Sequence, residues 1–183
     1  MQAWGERLSA LGAVSFFDYP YQLRGKKSPD RPPVLVAAHR AEFERVRSER
    51  AGPIVLIGKS MGGRIGCHVA AALAAEKVAP EARPRALVCL GYPLVAPGGK
   101  VRDEVLLELE TPVLFVQGTR DSMCPLDKLA EVRARMRAPN ELFVVEGGDH
   151  SLVVAAGALK KLGREQSDID AASFAAVAAF VGR

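Results

Sequence analysis

Ile54-Val55-Leu56-Ile57-Gly58-Lys59-Ser60-Met61-Gly62-Gly63-Arg64 decides how this chain is read. Its four leading apolar residues form a short run of the kind that makes a buried strand. Gly58 interrupts the run, and Arg64 to Lys77 continues as a helix-like stretch rich in Ala. Strand, sharp turn with a central Ser, then helix is the context in which G-x-S-x-G works as a nucleophile elbow. Such a turn lifts the hydroxyl clear of the sheet. Its flanking positions must be small, because a strained backbone lies against the neighbouring strand and helix. Ser60 also stands at a helix N-terminus, where backbone N–H groups can face a developing oxyanion.

A bare G-x-S-x-G also arises by chance, so the rest of the chain must supply partners. Thr111 to Val116 reads as a buried strand that runs into Gln117-Gly118-Thr119-Arg120-Asp121. Glu141 to Val145 reads as another, running into Glu146-Gly147-Gly148-Asp149-His150-Ser151. An Asp and a His therefore each follow the C-terminal end of an expected parallel strand, the edge where catalytic groups of open α/β sheets collect. A Ser hydroxyl is a poor nucleophile until a base takes its proton. Neutral His does this near pH 7, and a carboxylate fixes its tautomer and stabilises the imidazolium. The assignment is Ser60 as nucleophile, His150 as base and Asp121 as the group that orients it. Blander roles exist: Ser60 as a turn residue, Asp121 as the cap of a helix starting near Pro125, and Asp149 as a rival acid. Order and joint placement at three strand ends favour the triad.

Gly58-Lys59-Ser60 also resembles the end of a phosphate-binding loop, G-x-x-x-x-G-K-[ST]. That pattern needs Gly at position 53, where the chain has Pro53, and it needs a flexible cradle where the chain has Ile54 to Ile57. Nucleotide binding is set aside on that ground, and neither a cofactor nor a metal is expected.

The chain has 183 residues, 49% hydrophobic and 25% charged, enough for one core and one expected domain over residues 1–183. Cys67, Cys89 and Cys124 are odd in number and lie in apolar or helical surroundings, so they read as small core residues. That usage fits a reducing compartment; the expected location is the cytoplasm, with the nucleus as alternative. The net charge of +4 is mild. Between Arg40 and Arg50, Glu42, Glu44 and Glu49 alternate with Arg45 and Arg47, which suits a solvated helix laced with ion pairs rather than a nucleic-acid surface. No apolar run approaches transmembrane length, and no membrane association is expected.

Elsewhere the pattern predicts a short helix over 1–11 stopped by Gly12, a strand over Val14–Phe17, a loop over Asp18–Pro33 and a helix over Val34–Arg50. Ala86–Leu90 reads as a strand, Gly91–Lys100 as a loop and Leu126–Arg137 as a helix. A last helix begins at Ser167, with Asp170 completing a capping box. The expected fold class is α/β: about five mostly parallel strands flanked by helices with right-handed crossovers.

Taken together, Asp18-Tyr19-Pro20-Tyr21, Arg31-Pro32-Pro33, Gly58 to Arg64, Leu90-Gly91-Tyr92-Pro93-Leu94, Val116 to Asp121 and Gly148 to Ser151 carry a resemblance to a known group. They resemble the dienelactone-hydrolase-like α/β-hydrolases that include the NSL complex subunit 3 and testis-expressed protein 30 type. The resemblance implies an α/β-hydrolase core and supports Ser60, Asp121 and His150 as the triad, in the chain order of that fold. It also implies Met61 N–H as one oxyanion donor. In the family, a strand and an H-G-x-G-like loop precede the first helix and donate the other. Here Met1-Gln2-Ala3-Trp4 already resembles that helix, so the N-terminal strands of the full fold are expected to be lacking and the activity impaired. Met1 is accordingly expected to be an internal Met of a longer native chain. Without the missing strand, Val14–Phe17 and Ile54–Ile57 must pair directly or leave backbone groups unpaired. The expected function is hydrolysis of a small-molecule ester or other acyl bond, with Tyr19, Tyr21 and Tyr92 as candidates for lining the substrate pocket. The alternative is a non-catalytic hydrolase-fold module that binds a protein partner in a larger assembly.

Overall fold

The structure, a computed structural model, describes residues 2–183. Its centre is a four-stranded parallel sheet in the order β1 (Val55–Lys59), β2 (Ala86–Leu90), β3 (Val113–Gly118) and β4 (Asn140–Val145). Spatial order follows chain order. Each crossover therefore returns on the same side of the sheet if all are right-handed. Helices α4 (Met61–Ala75), α5 (Glu104–Glu108) and α6 (Leu126–Arg135) supply them. Helices α1 (Gln2–Leu8), α7 (Ala156–Leu162) and α8 (Gln166–Val181) belong to the other side, while α2 (Pro20–Leu23) and α3 (Pro32–Glu49) precede β1.

The two-residue period of a strand sorts the core into two layers. Leu87 and Cys89 of β2 and Val113 and Phe115 of β3 pack with Cys67 and Ala70 of α4, Leu106 of α5 and Leu129 of α6. Their alternates, Val88, Leu90, Leu114 and Val116, pack with Leu8 of α1 and Ile169 and Val177 of α8. Every residue of β2 and β3 is buried, which explains why both read as unbroken apolar runs. Outside these layers, α3 lies on α4, with Phe43 against Val69 and Leu73 and with Leu35 in a cluster with Ile65 and Tyr19. All three cysteines are buried free thiols, Cys67 and Cys89 with their sulfurs 3.8 Å apart.

Three expectations need correction. The sheet has four strands rather than about five, because Val14–Phe17 forms no strand. Phe17 instead packs on Tyr19 (ring centroids 4.8 Å apart) and His39 (5.1 Å), so this stretch is held by side chains. The outer edge of β1 consequently has no strand partner among the described residues, and Val55 to Ile57 are only half-buried. The Asp18–Pro33 segment contains α2, whose first turn closes when Tyr19 N–H donates to Gln22 Oε1 (2.9 Å). Finally, α8 begins at Gln166, where Glu165 N–H donates to Asp168 Oδ2 (2.8 Å) and Gln166, not Ser167, reaches Asp170. Met1 lies outside the described residues. Among those described, no helix is long and apolar enough to cross a membrane.

Candidate active site

β1 ends at Lys59 and α4 begins at Met61, leaving Ser60 alone in the turn at φ 51° and ψ −120°. Few non-glycine residues tolerate that conformation, which costs of the order of 1–3 kcal/mol. Packing fixes it. A Cβ at Gly58 would collide with backbone atoms of Gly62 and Gly63, and one at Gly63 would press on Gly58 O at 2.8 Å and Cys89 Sγ at 3.2 Å. A Cβ at Gly62 would meet nothing within 4 Å. The requirement for small residues thus falls on Gly58 and Gly63, not on both flanks of the motif. Ser60 N–H donates to Leu90 O (2.9 Å), tying the turn to the end of β2.

The three sequence candidates converge above the C-terminal sheet edge. His150 Nε2 lies 2.8 Å from Ser60 Oγ, and His150 Nδ1 lies 2.8 Å from Asp121 Oδ2. Asp121 is buried, and its Oδ1 accepts the Met123 N–H at 2.8 Å. Asp149, the rival acid, is spent on its own loop: its Oδ1 accepts the N–H groups of Ser151 (2.7 Å) and Val153 (3.0 Å). Gly91, at φ +64°, lets the β2 end pass so close that a Cβ there would strike the His150 carbonyl oxygen. Such an arrangement can move a proton from the hydroxyl to the imidazole, with a buried carboxylate steadying the cation formed.

Behind the acid stands a residue that the sequence reading passed over. Gln117, fully buried at the end of β3, accepts the Tyr92 N–H (2.9 Å) and donates to Asp121 Oδ2. A polar residue closing an otherwise apolar strand, four places before the Asp, was the available signal. Cys124 is close enough for the Asp121 charge to act on it. Burial first and that charge second push its thiol up to about 12, so it stays protonated.

A groove of about 1370 Å³ runs from Ser60 and Met61 along the open edge of β1, with Phe17, Tyr19, Tyr21 and His39 among its lining. Tyr19 and Tyr21 are thus brought to it, while Tyr92 is fully buried and does not line it. Tyr92 packs edge-on to Phe115 instead, ring centroids 5.7 Å apart. Tyr19 Oη lies 3.0 Å from His39 Nδ1. Burial, then the neighbouring Tyr21, raises the Tyr19 phenol well above its usual range, and burial lowers His39 to about 4. Met61 N–H, at the first position of α4, has no acceptor within its helix.

Residues 1–182 match the alpha/beta hydrolase domain family. The chain belongs to that family. Solved structures similar to this hydrolase domain include an alpha-beta serine hydrolase homologue from Coxiella burnetii, at 21% identity and a TM-score of 0.60, covering 88% of this chain and 71% of that one. A dienelactone hydrolase from Anabaena variabilis is similar at 15% identity and a TM-score of 0.63, covering 94% and 75%. The esterase domain of a Rhodothermus marinus protein follows at 18% and 0.56, covering 79% and 67%. At such identities the likeness speaks for the fold alone.

Proposed function

We propose that this hydrolase-domain protein is a serine hydrolase of small-molecule esters or related acyl compounds, of the dienelactone-hydrolase-like branch that includes the NSL complex subunit 3 type. One observation carries the reading: the unbroken chain Ser60 Oγ–His150–Asp121, both links 2.8 Å long. In the first step His150 takes the Ser60 proton as Oγ attacks the acyl carbon. Charge then collects on the carbonyl oxygen, where Met61 N–H is the assigned donor. When the tetrahedral species collapses, His150 returns the proton to the leaving alcohol and acyl-Ser60 remains. Water, activated by the same imidazole, releases the acid. Asp121 holds the imidazole so that Nε2 faces Ser60. Tyr19 and Tyr21 present an apolar wall with polar tips to the substrate.

The test is labelling with a fluorophosphonate probe, followed by peptide mass spectrometry and p-nitrophenyl ester turnover. Modification of Ser60, abolished in Ser60→Ala, is expected; an unmodified Ser60 overturns the assignment.

A second reading, a non-catalytic module docking a protein through the same fold, draws on the unpaired outer edge of β1 and the groove beside it. It predicts a stable protein complex that forms equally well with Ser60→Ala. Loss of the complex when the groove is blocked by a bulky Ser60 adduct would separate it from the enzyme reading.

A further inference from the structure

Four buried side-chain atoms among the described residues have no hydrogen-bond partner: Arg64 Nε, His68 Nε2, Tyr92 Oη and Arg102 Nε. They are not scattered. Arg64 and His68 stand one turn apart on the same face of α4. Arg102 donates through Nη2 to the carbonyls of Pro93 (2.9 Å) and Val95 (3.3 Å), which anchors its head beside the segment that carries Tyr92. The Tyr92 side chain is fully buried, and both guanidinium charges act on its hydroxyl. Arg64 also acts on Arg102 and on His68.

Neither guanidinium forms a salt bridge among the described residues, although nine other Arg or Lys pairs do. Glu104 acts on His68, Arg64 and Arg102, and Glu108 acts on His68, but both carboxylates are exposed, neither contacts the cluster, and Glu104 pairs with Lys100 at 3.1 Å. Buried polar atoms are nearly always satisfied, and neighbouring cations repel unless something negative sits between them. Guanidinium groups can only donate; a phenol hydroxyl and a neutral imidazole N–H can donate as well. Tyr92 Oη and His68 Nε2 could also accept, yet neither is paired among the described residues; what the cluster lacks is a carboxylate in contact.

We propose that Arg64, His68, Tyr92 and Arg102 form a binding site for a small oxyanion, a carboxylate or a phosphate group, separate from the groove in front of Ser60. The guanidinium fork suits the paired oxygens of either group. Arg64, His68 and Arg102 are partly exposed, which gives an anion a way in from solvent beside the buried orphaned atoms. None of the four residues lines the groove. The site is nonetheless wired to the catalytic candidates. Arg64 N–H donates to Ser60 O (3.3 Å), and Tyr92 N–H leads through Gln117 to Asp121.

The experiment is thermal unfolding of the full chain in sodium phosphate, sodium acetate and sodium chloride at matched ionic strength. One or both oxyanions are expected to raise Tm over chloride by about 2–4 °C at roughly five times Kd. The phosphate and acetate arms distinguish a phosphoryl from a carboxyl ligand. Arg64→Gln and Tyr92→Phe should each remove most of that rise, and Lys161→Gln, on the exposed side of α7, should keep it. Tyr92→Phe retains the ring against Phe115 and carries the test alone if Arg64→Gln does not fold. A rise no larger than that in chloride, or one that Tyr92→Phe retains in full, overturns the proposal.

Discussion

At the scale of single residues, the site divides into groups that would touch the substrate and groups that hold them. Asp121 belongs to the second kind: it is buried, and its two oxygens are shared among His150, Gln117 and the Met123 N–H. Asp121→Asn keeps the volume but lets the wrong imidazole nitrogen carry the proton. Ester turnover should fall about 10³–10⁴-fold with the far-UV spectrum unchanged; a fall below tenfold would remove Asp121 from its role. Gln117 is further back still. Gln117→Leu strips the buried Tyr92 N–H of its acceptor, and a urea titration should show a loss of about 1–3 kcal/mol. Turnover should drop as well, because Asp121 loses a donor. The convergence of Ser60, Asp121 and His150 was legible because each is a chemically distinctive type that follows an apolar run. Gln117 was not, since its role depends on a neighbour 25 residues away in sequence. Tyr92 misled for the same reason. An aromatic residue in a Gly/Pro-rich loop suggests a pocket wall, yet here the ring is core.

At the scale of elements, what the sequence revealed follows how many constraints each element satisfied by itself. β2 and β3 are buried on both faces, so their apolar runs located β2 to the residue and β3 to within two residues at each end. Val14–Phe17 has an equally strand-like composition, but a strand exists only with a partner, and composition cannot report one. The short helices α5 and α7, five and seven residues long, went unread because so few turns leave no period to detect. The elbow shows the opposite case, where a motif overstates its own requirements. Gly58→Ala would drive a methyl group into the Gly62–Gly63 backbone, whereas Gly62→Ala enters open space. The second replacement is expected to be neutral or slightly stabilising, since Ala is the better helix former. The first should lower Tm by several degrees and abolish Ser60 labelling. Equal tolerance of both would mean that strand and helix are not in the contact described.

At the scale of the whole molecule, the part of the chain before β1, less than a third of it, adds no strand and packs on the rest mainly through side chains, with His39 at its centre. His39 Nδ1 shares a hydrogen bond with the Tyr19 hydroxyl, and the ring packs under Phe17 and approaches the position of Gly66 on α4. Burial is the main reason its pKa falls from 6.5 to about 4; Glu42, the opposing influence, does not offset it. The unfolded chain therefore binds more protons at this residue than the folded one between those two values. Stability rises with pH wherever the unfolded state holds the extra proton. The His39 contribution is thus fully present above about pH 6.5 and is lost as pH falls toward 4. A fall from 6.5 to about 4 corresponds to at most roughly 3–4 kcal/mol, at about 1.36 kcal/mol per pH unit. Carboxylates also titrate near the lower limit, so the readout is a difference. His39→Asn keeps a side-chain acceptor for Tyr19 but cannot take up a proton. Urea unfolding of both proteins from pH 7 to pH 4 should show the parent losing more stability than His39→Asn, with the gap opening below pH 6.5. Parallel curves would mean that His39 is as free to protonate in the folded protein as in the unfolded chain, and that the segment from Phe17 to Tyr19 does not seal it.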